Sequence, residues 1–382
     1  MPVAHGLSVA ARKKARTPAA ERKSAHASTP YSDALGELEA AGDKVALEID
    51  GERVAITHLD KVLWPADAAR GARGYTRRDL VRYLLYAGPY MLPHTRDRPL
   101  TLIRMPEGIA GRRFVQFHWE QRLPGFVETI SIFSEKSKVA EEFLLCNNMA
   151  TLLWLSHVGT LELHVWHSRA NTGPDAARAA TDYTSSAAAV QGSLLNFPDY
   201  IVFDIDPYLY SGAEEKGAQP EMNDEAFDKG RAVAFELKAL LDSMKLDSLV
   251  KTSGKTGLHI LVPLVRKLSY DAVRAFAGEI ARHLLAAHPD LITLDWNTTR
   301  RTGKVFFDYA MNVRVKTLAA PYSVRTVPGA PVSMPVTWKA LAKAHPLNYT
   351  METVPALLAK HGDLWSDILE RKQDLAKVLG GQ

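Results

Sequence analysis

The sequence predicts an α+β protein built on a mixed or antiparallel sheet, and three observations lead there. Residues 200–207, Tyr-Ile-Val-Phe-Asp-Ile-Asp-Pro, form an apolar, β-branched run closed by a proline that cannot continue a ladder, the pattern of a buried strand entering a turn. Two more strand-like runs, 249–252 and 258–262, flank a short glycine-containing turn. Between and after them, 227–244 and 273–284 repeat apolar residues every three or four positions, the helical period.

The remaining elements follow in chain order. Residues 1–31 are Ala-rich and basic, with Arg12, Lys13, Lys14, Arg16, Arg22 and Lys23 and no period that could bury a face. They read as a disordered tail, either a plain solvated one or an arm that samples DNA. Order is expected from about Val45, where 45–49 and 54–56 alternate around Asp50-Gly51 as a hairpin. Thr76 caps a helix with Asp79 at the capping-box position, and Pro89 is expected beyond its end. A strand follows at 100–103, then the aromatic segment 114–119 beside Arg112 and Arg113, then a helix-to-strand stretch at 148–167. Residues 170–195 and 211–223, rich in small and polar residues, read as insertions or mobile loops. Ser269 caps a helix that stops at Pro289, a strand runs over 305–309, and helical patterns recur at 338–344 and 354–358.

Composition narrows the class. A chain of 382 residues, 46% hydrophobic and 24% charged, suits one large soluble domain or two coupled ones, and a net charge of +4 permits a nucleic-acid partner without requiring one. The single Cys146 excludes an internal disulfide and a cysteine-rich zinc site, and fits a reducing compartment. No apolar run nears the ~20 residues of a membrane span.

The chemistry begins at the 200–207 strand. Side chains alternate across a strand, so Asp204 and Asp206 share one face. Two like charges there need a proton or cation, and a hard divalent ion is the natural neutraliser. Asp308 again interrupts an apolar strand. The turn Ser253-Gly254-Lys255-Thr256-Gly257 precedes His259 and lets backbone amides approach a phosphate, although its glycine spacing is wrong for a Walker A loop. His164 is a candidate phosphate or base contact, whereas the pair His164 and His167 lacks neighbouring acids or thiols for a metal site. Three strand-borne aspartates, a glycine-serine turn and several cations are the parts of two-metal nucleotidyl transfer.

At these residues the chain resembles a known family. Phe203-Asp204-Ile205-Asp206-Pro207, Lys251-Thr252-Ser253-Gly254 through Gly257-Leu258-His259, Phe307-Asp308-Tyr309 and residues 320–325 resemble the primase-polymerase domain of bacterial DNA ligase D, of the archaeo-eukaryotic primase superfamily. Residues 59–65, 92–100 and 161–164 are similar to it as well, so the likeness runs from about Val45 to Trp365. The resemblance implies the primase-polymerase fold and end-joining repair synthesis. The implied enzyme is a template-dependent polymerase using Mn²⁺ or Mg²⁺ with NTP or dNTP, and preferring ribonucleotides. It acts on DNA ends carrying a 5′-phosphate in the cytoplasm, at the nucleoid, with Ku and a separate ligase as candidate partners. It implies Asp204, Asp206 and Asp308 as metal ligands and catalytic residues. Ser253, His259, His164, Arg301, Arg325 and Lys316 would contact the nucleotide, Lys61 and Arg77 the 5′-phosphate, and Phe114 the template.

For Lys61 and Arg77 the start of the helix capped by Thr76 adds exposed amides that favour an anion. Two departures stand out: Phe117 lies where many relatives carry a lysine, and Lys255-Thr256 where they often have Gly-Lys. Lys-x-Asp-Gly, the adenylating signature of a ligase, occurs nowhere, so a standalone polymerase module is expected. The implied organisation is a tail over 1–33, a DNA-end-binding portion over 34–199 and a catalytic portion over 200–382. A priming nucleotidyltransferase and a non-catalytic end-bridging module are the alternatives, the second opposed by the three retained aspartates.

Overall fold

The computed structural model describes residues 29–173, 175, 180–207 and 223–380. The expected basic tail before Thr29, and all of the 211–223 insertion but its last residue, lie outside them. The chain adopts the α+β fold, centred on a six-stranded sheet in the order Ile292–Thr293, Val305–Asp308, Tyr200–Asp206, Leu258–Pro263, Leu249–Thr252, Pro335–Val336. The first pair is parallel and the rest antiparallel, so the sheet is mixed. Helices Asp224–Ser243 and Tyr270–Ala287 pack against it, each capped by the side chain of the preceding residue, Asn223 or Ser269. The fully buried Phe203 and Ile205 alternate along the central strand with Asp204 and Asp206, which are partly exposed.

A second sheet of four antiparallel strands, Thr317–Ala319, Thr160–Trp166, Leu100–Arg104 and Phe114–Gln116, carries the aromatic segment at its edge. Its strands Thr160–Trp166 and Thr317–Ala319 supply residues to the same cleft as the central strand of the first sheet. One cluster of buried apolar side chains runs from Leu38 through Trp64, Leu155 and Phe203 to Leu358.

Several expectations are corrected. Order begins before Val45, because helix Ser32–Ala40 buries Leu38 completely. The 170–195 segment is no plain loop where it is described: Ser186 caps a short helix, Ala187–Gly192, and Val190 and Leu195 pack with Trp166 and Phe143. The helix after Thr76 does have its full capping box, but it continues through Pro89 and Pro93 to Thr95. A proline at 89 has no N–H for the carbonyl of Leu85, four residues back. The Thr29 hydroxyl donates to that carbonyl instead, at 2.6 Å. The breaker is thus tolerated because a distant side chain satisfies the acceptor it orphans.

Thr29→Val keeps the shape of the residue and removes this donor. It should lower unfolding stability by about 1 kcal/mol, read as a lower urea midpoint at unchanged slope. An unchanged midpoint would mean that solvent already serves the Leu85 carbonyl.

Candidate active site

Pairing across the large sheet builds the site. Asp204 stands opposite Asp308 on one neighbouring strand and opposite His259 on the other, and His259 in turn stands opposite Lys251. A transverse row, Asp308, Asp204, His259, Lys251, therefore crosses four strands, with Asp206 two residues along from Asp204. Asp204, Asp206, His259, Ser253, Lys255 and Arg325 line a cleft of about 270 Å³ whose other wall includes His164 and Ala319 of the smaller sheet.

The electrostatics follow from this crowding. Burial, with Asp206 and Asp308 nearby, pushes the Asp204 carboxyl up to about 8, and burial raises Asp308 as well. Burial beside Lys251 and Arg325 holds His259 well below the ordinary imidazole value. His259 Nε2 approaches Asp204 Oδ1 to 3.5 Å, and both shifts disfavour the charged forms that an ion pair would need.

Sequence reading missed Glu162. It is fully buried in a strand cut by an acid, Leu161-Glu162-Leu163, the same signal that marked Asp308. Its Oε2 lies 2.9 Å from His164 Nε2 and 3.3 Å from Arg325 Nε, and its Oε1 lies 3.2 Å from Lys255 Nζ and accepts from the Thr326 amide at 2.7 Å. Burial opposes its ionisation, yet Arg325, His164 and Lys255 together hold it well below the usual carboxylate range. Glu162 thus gathers three cleft residues that lie far apart in sequence.

The glycine turn is tighter than expected. Ser253 Oγ accepts the amides of Lys255 at 3.1 Å and Gly257 at 3.0 Å, so these two N–H groups are not open to a phosphate. Arg325 Nη1 donates to the Ser253 carbonyl. Gly254 has φ +75°, and a Cβ on Gly257 would lie 2.5 Å from the Ile205 carbonyl oxygen, so neither position admits a side chain without displacing the central strand or Arg325.

The other expected residues lie apart from the cleft lining. Arg301 is buried over the Phe306 ring at 3.5 Å and donates to the carbonyls of Asp295 and Trp296, an arrangement quite unlike a surface salt bridge. Lys316 Nζ is 5.8 Å from the Trp296 ring, and both cations act on Asp308. His167 points away from metal chemistry, packed between the Tyr200 and Tyr270 rings. Phe114 is 41% exposed at the edge of the smaller sheet, with the Arg112 guanidinium 4.9 Å from its ring.

Lys61 and Arg77 do converge, on Glu107: Lys61 Nζ is 2.7 Å from Glu107 Oε2, and both cations lower that carboxyl. The expectation of open amides there is corrected, because Arg77 N–H and Arg78 N–H donate to the carbonyls of Lys61 and Leu59. Arg77 itself is buried, with Nη1 on the Thr57 carbonyl. A larger cavity of about 810 Å³, lined by Phe117, Phe143, Trp166 and Tyr270, contains none of the carboxylates named above and stands outside this site.

Comparison with known proteins settles the family. The model of the LigD primase-polymerase domain matches residues 76–365. The chain belongs to this family. A multifunctional non-homologous end joining protein LigD of Mycolicibacterium smegmatis is 30% identical over 313 residues, covering 82% of this chain and 36% of that protein. A bifunctional LigD of Bacillus subtilis is 28% identical over 324 residues, covering 84% and 45%. The chain thus spans less than half the length of these LigD relatives. The solved polymerase domain of Mycobacterium tuberculosis ligase D in complex with DNA superposes with a TM-score of 0.67 at 26% identity, covering 84% of this chain and 99% of that one.

The raised Asp204 carboxyl sets a pH dependence. Its folded value lies above the unfolded one, so the wild-type protein loses stability as pH rises from about 4, the unfolded value, to the folded value, and Asn at this position loses none by this route. In chelator, calorimetry should show the Tm of Asp204→Asn gaining on wild type from about pH 4 to about pH 8 and holding level above. A pH-independent offset would mean that neither burial nor the neighbouring carboxylates raise Asp204.

Proposed function

We propose that this protein is a template-dependent nucleotidyltransferase that fills gaps at double-strand-break ends during non-homologous end joining. One observation supports this most: the register that sets Asp204 against Asp308 on one side and His259 on the other, with Asp204, Asp206 and His259 lining one cleft with Ser253 and Arg325 while Asp308 stands on the strand beside it. Carboxylates and cations facing one another suit a divalent-ion complex of a nucleoside triphosphate.

The donor set fits Mn²⁺ or Mg²⁺. Asp204 and Asp308, raised by burial, are hard oxygen donors that a divalent cation would restore to the ionised form. Among the described residues no three metal-capable side chains already form a ligand shell. Mg²⁺ commonly uses one or two carboxylates and completes its octahedron with water and substrate phosphate, so a preformed cage is not required. When bound, such ions stabilise charge on the attacking and leaving oxygens.

In this reading Asp204, Asp206 and Asp308 hold the ions. Arg325, His259, Ser253 and His164 bind the triphosphate, with Arg301 and Lys316 adding positive potential near Asp308. The exposed ring of Phe114 stacks on a template base. Lys61 and Arg77, in the DNA-end-binding portion over 34–199, take the 5′-phosphate, and the catalytic portion over 200–382 supplies the chemistry. A Ku protein and a separate ligase are the partners such a reaction calls for, in the cytoplasm at the nucleoid. No helix among the described residues is long and apolar enough to cross a membrane.

Primer extension on a gapped, 5′-phosphorylated duplex with Mn²⁺ tests the activity. Wild type should extend, and Asp204→Asn and Asp308→Asn should each lose several orders of magnitude while retaining DNA binding. Near-normal extension by either variant would remove that aspartate from the site.

The 5′-phosphate contact has its own signature. Glu107 occupies the position opposite Lys61 that a phosphate would take. Glu107→Gln should therefore tighten binding of 5′-phosphorylated gaps several-fold, and Lys61→Ala should erase the preference over hydroxyl ends, both measured by fluorescence anisotropy. Equal binding of the two ends by the unmutated protein would point to the priming enzyme instead.

A further inference from the structure

Lys251 is the one lysine among the largest fully buried side chains of the described residues, and nothing in the proposed chemistry uses it directly. A buried ammonium is costly unless every donor is matched. Here the match is complete. Lys251 Nζ is 2.6 Å from His259 Nδ1, 2.9 Å from the Ala319 carbonyl and 2.5 Å from Ser333 Oγ, three polar neighbours for three N–H groups, of which the carbonyl can only accept. The Ser333 hydroxyl also lies 3.4 Å from the Thr252 carbonyl, to which it can donate while accepting from the lysine.

These partners come from three directions. His259 lies opposite Lys251 on the neighbouring strand of the large sheet, Ala319 belongs to the smaller sheet, and Ser333 lies on the segment before the strand Pro335–Val336. Burial and Arg325 push the lysine down, while Asp204 pulls it up. The net effect holds the lysine well below its ordinary value, and even as a neutral amine it keeps two N–H groups, one for the Ala319 carbonyl and one for His259 Nδ1.

We propose that Lys251 is a positioning residue that fixes the tautomer and ring orientation of His259. By donating to Nδ1 it assigns the imidazole proton to Nε2, the nitrogen that faces Asp204 at 3.5 Å and lines the cleft. A neutral histidine with Nε2–H can donate to a phosphate oxygen, whereas the opposite tautomer presents a lone pair and repels it. The Ala319 anchor also ties the orientation of His259 to the seating of the second sheet on the first. The consequence for nucleotide binding rests on the polymerase reading above, but the tautomer itself does not.

Two measurements test this. Long-range ¹H–¹⁵N correlation spectra of histidine-labelled, metal-free protein should show His259 as the Nε2–H form, and Lys251→Met should shift it to a mixture. An Nδ1–H form in the unmutated protein overturns the proposal whatever the activity assays show.

The second is a double-mutant cycle on single-nucleotide insertion. Lys251→Met and His259→Gln should each lower kcat/KM about a hundredfold, the scale of one lost donor to developing charge, with the double variant no worse than His259→Gln alone. Ser333→Ala, which removes one anchor and leaves both sheets intact, should give a smaller loss that also vanishes in the His259→Gln background. Additive losses would show that Lys251 acts on stability and not through His259. An inactive wild type with an Nε2–H histidine would refute the polymerase reading and leave the positioning role standing.

Discussion

Two carboxylates held in register on adjoining strands repel one another, and the rest of the site is arranged around that cost. Asp204 and Asp308 cannot separate without breaking the ladder between their strands, so relief must come from what surrounds them. On one side the row continues into His259 and Lys251, and on the other Arg301 and Lys316 lend positive potential to Asp308. Arg325, which also lowers Asp204, is held between the Ser253 carbonyl and Glu162. A fold that keeps both carboxyls raised, although Asp308 accepts from the Ala310 amide and cations stand nearby, carries a cost in stability of the kind found at working sites.

Glu162 and Lys251 perform the same structural task, one as an acceptor and one as a donor. Each is fully buried, and each joins residues that meet only in the tertiary structure. Glu162 binds His164 of the smaller sheet to Arg325 and Lys255, and Lys251 binds His259 of the larger sheet to Ala319 of the smaller. The cleft is thus shaped by two buried polar junctions, and removing a partner from either would leave a buried polar group unmatched. Family membership explains the likeness to ligase D polymerase domains, and these junctions explain how this chain holds the shape.

The sequence made the strands and their faces readable, and left the neighbours obscure. Period-two alternation placed Asp204 and Asp206 on one face, and the caps at Thr76 and Ser269 marked real helix starts, because both signals are local. Which strand lies beside which is set by pairings distant in sequence, so the row from Asp308 to Lys251 could not be read in advance. Glu162 was hidden for the same reason, although its apolar flanks gave the same hint as those of Asp308. Pro89 misled because a hydroxyl sixty residues earlier, roughly, rescues its orphaned carbonyl. The anion site at Arg77 was overdrawn because the first-turn amides find carbonyls in the preceding segment.

The topology of the large sheet also bears on how the chain reaches its native state. The strand Tyr200–Asp206 is flanked by Leu258–Pro263 and Val305–Asp308, so completing its two edges closes loops of roughly fifty and a hundred residues. The hairpin Lys44–Ile49 with Glu52–Thr57 and the two long helices need no such closure. Assembly of the carboxylate pair is therefore a late event, and until it occurs an apolar strand has an unpaired edge of the kind that recruits other chains. Until those edges pair, the sheet at the heart of the cleft is a segment open to aggregation.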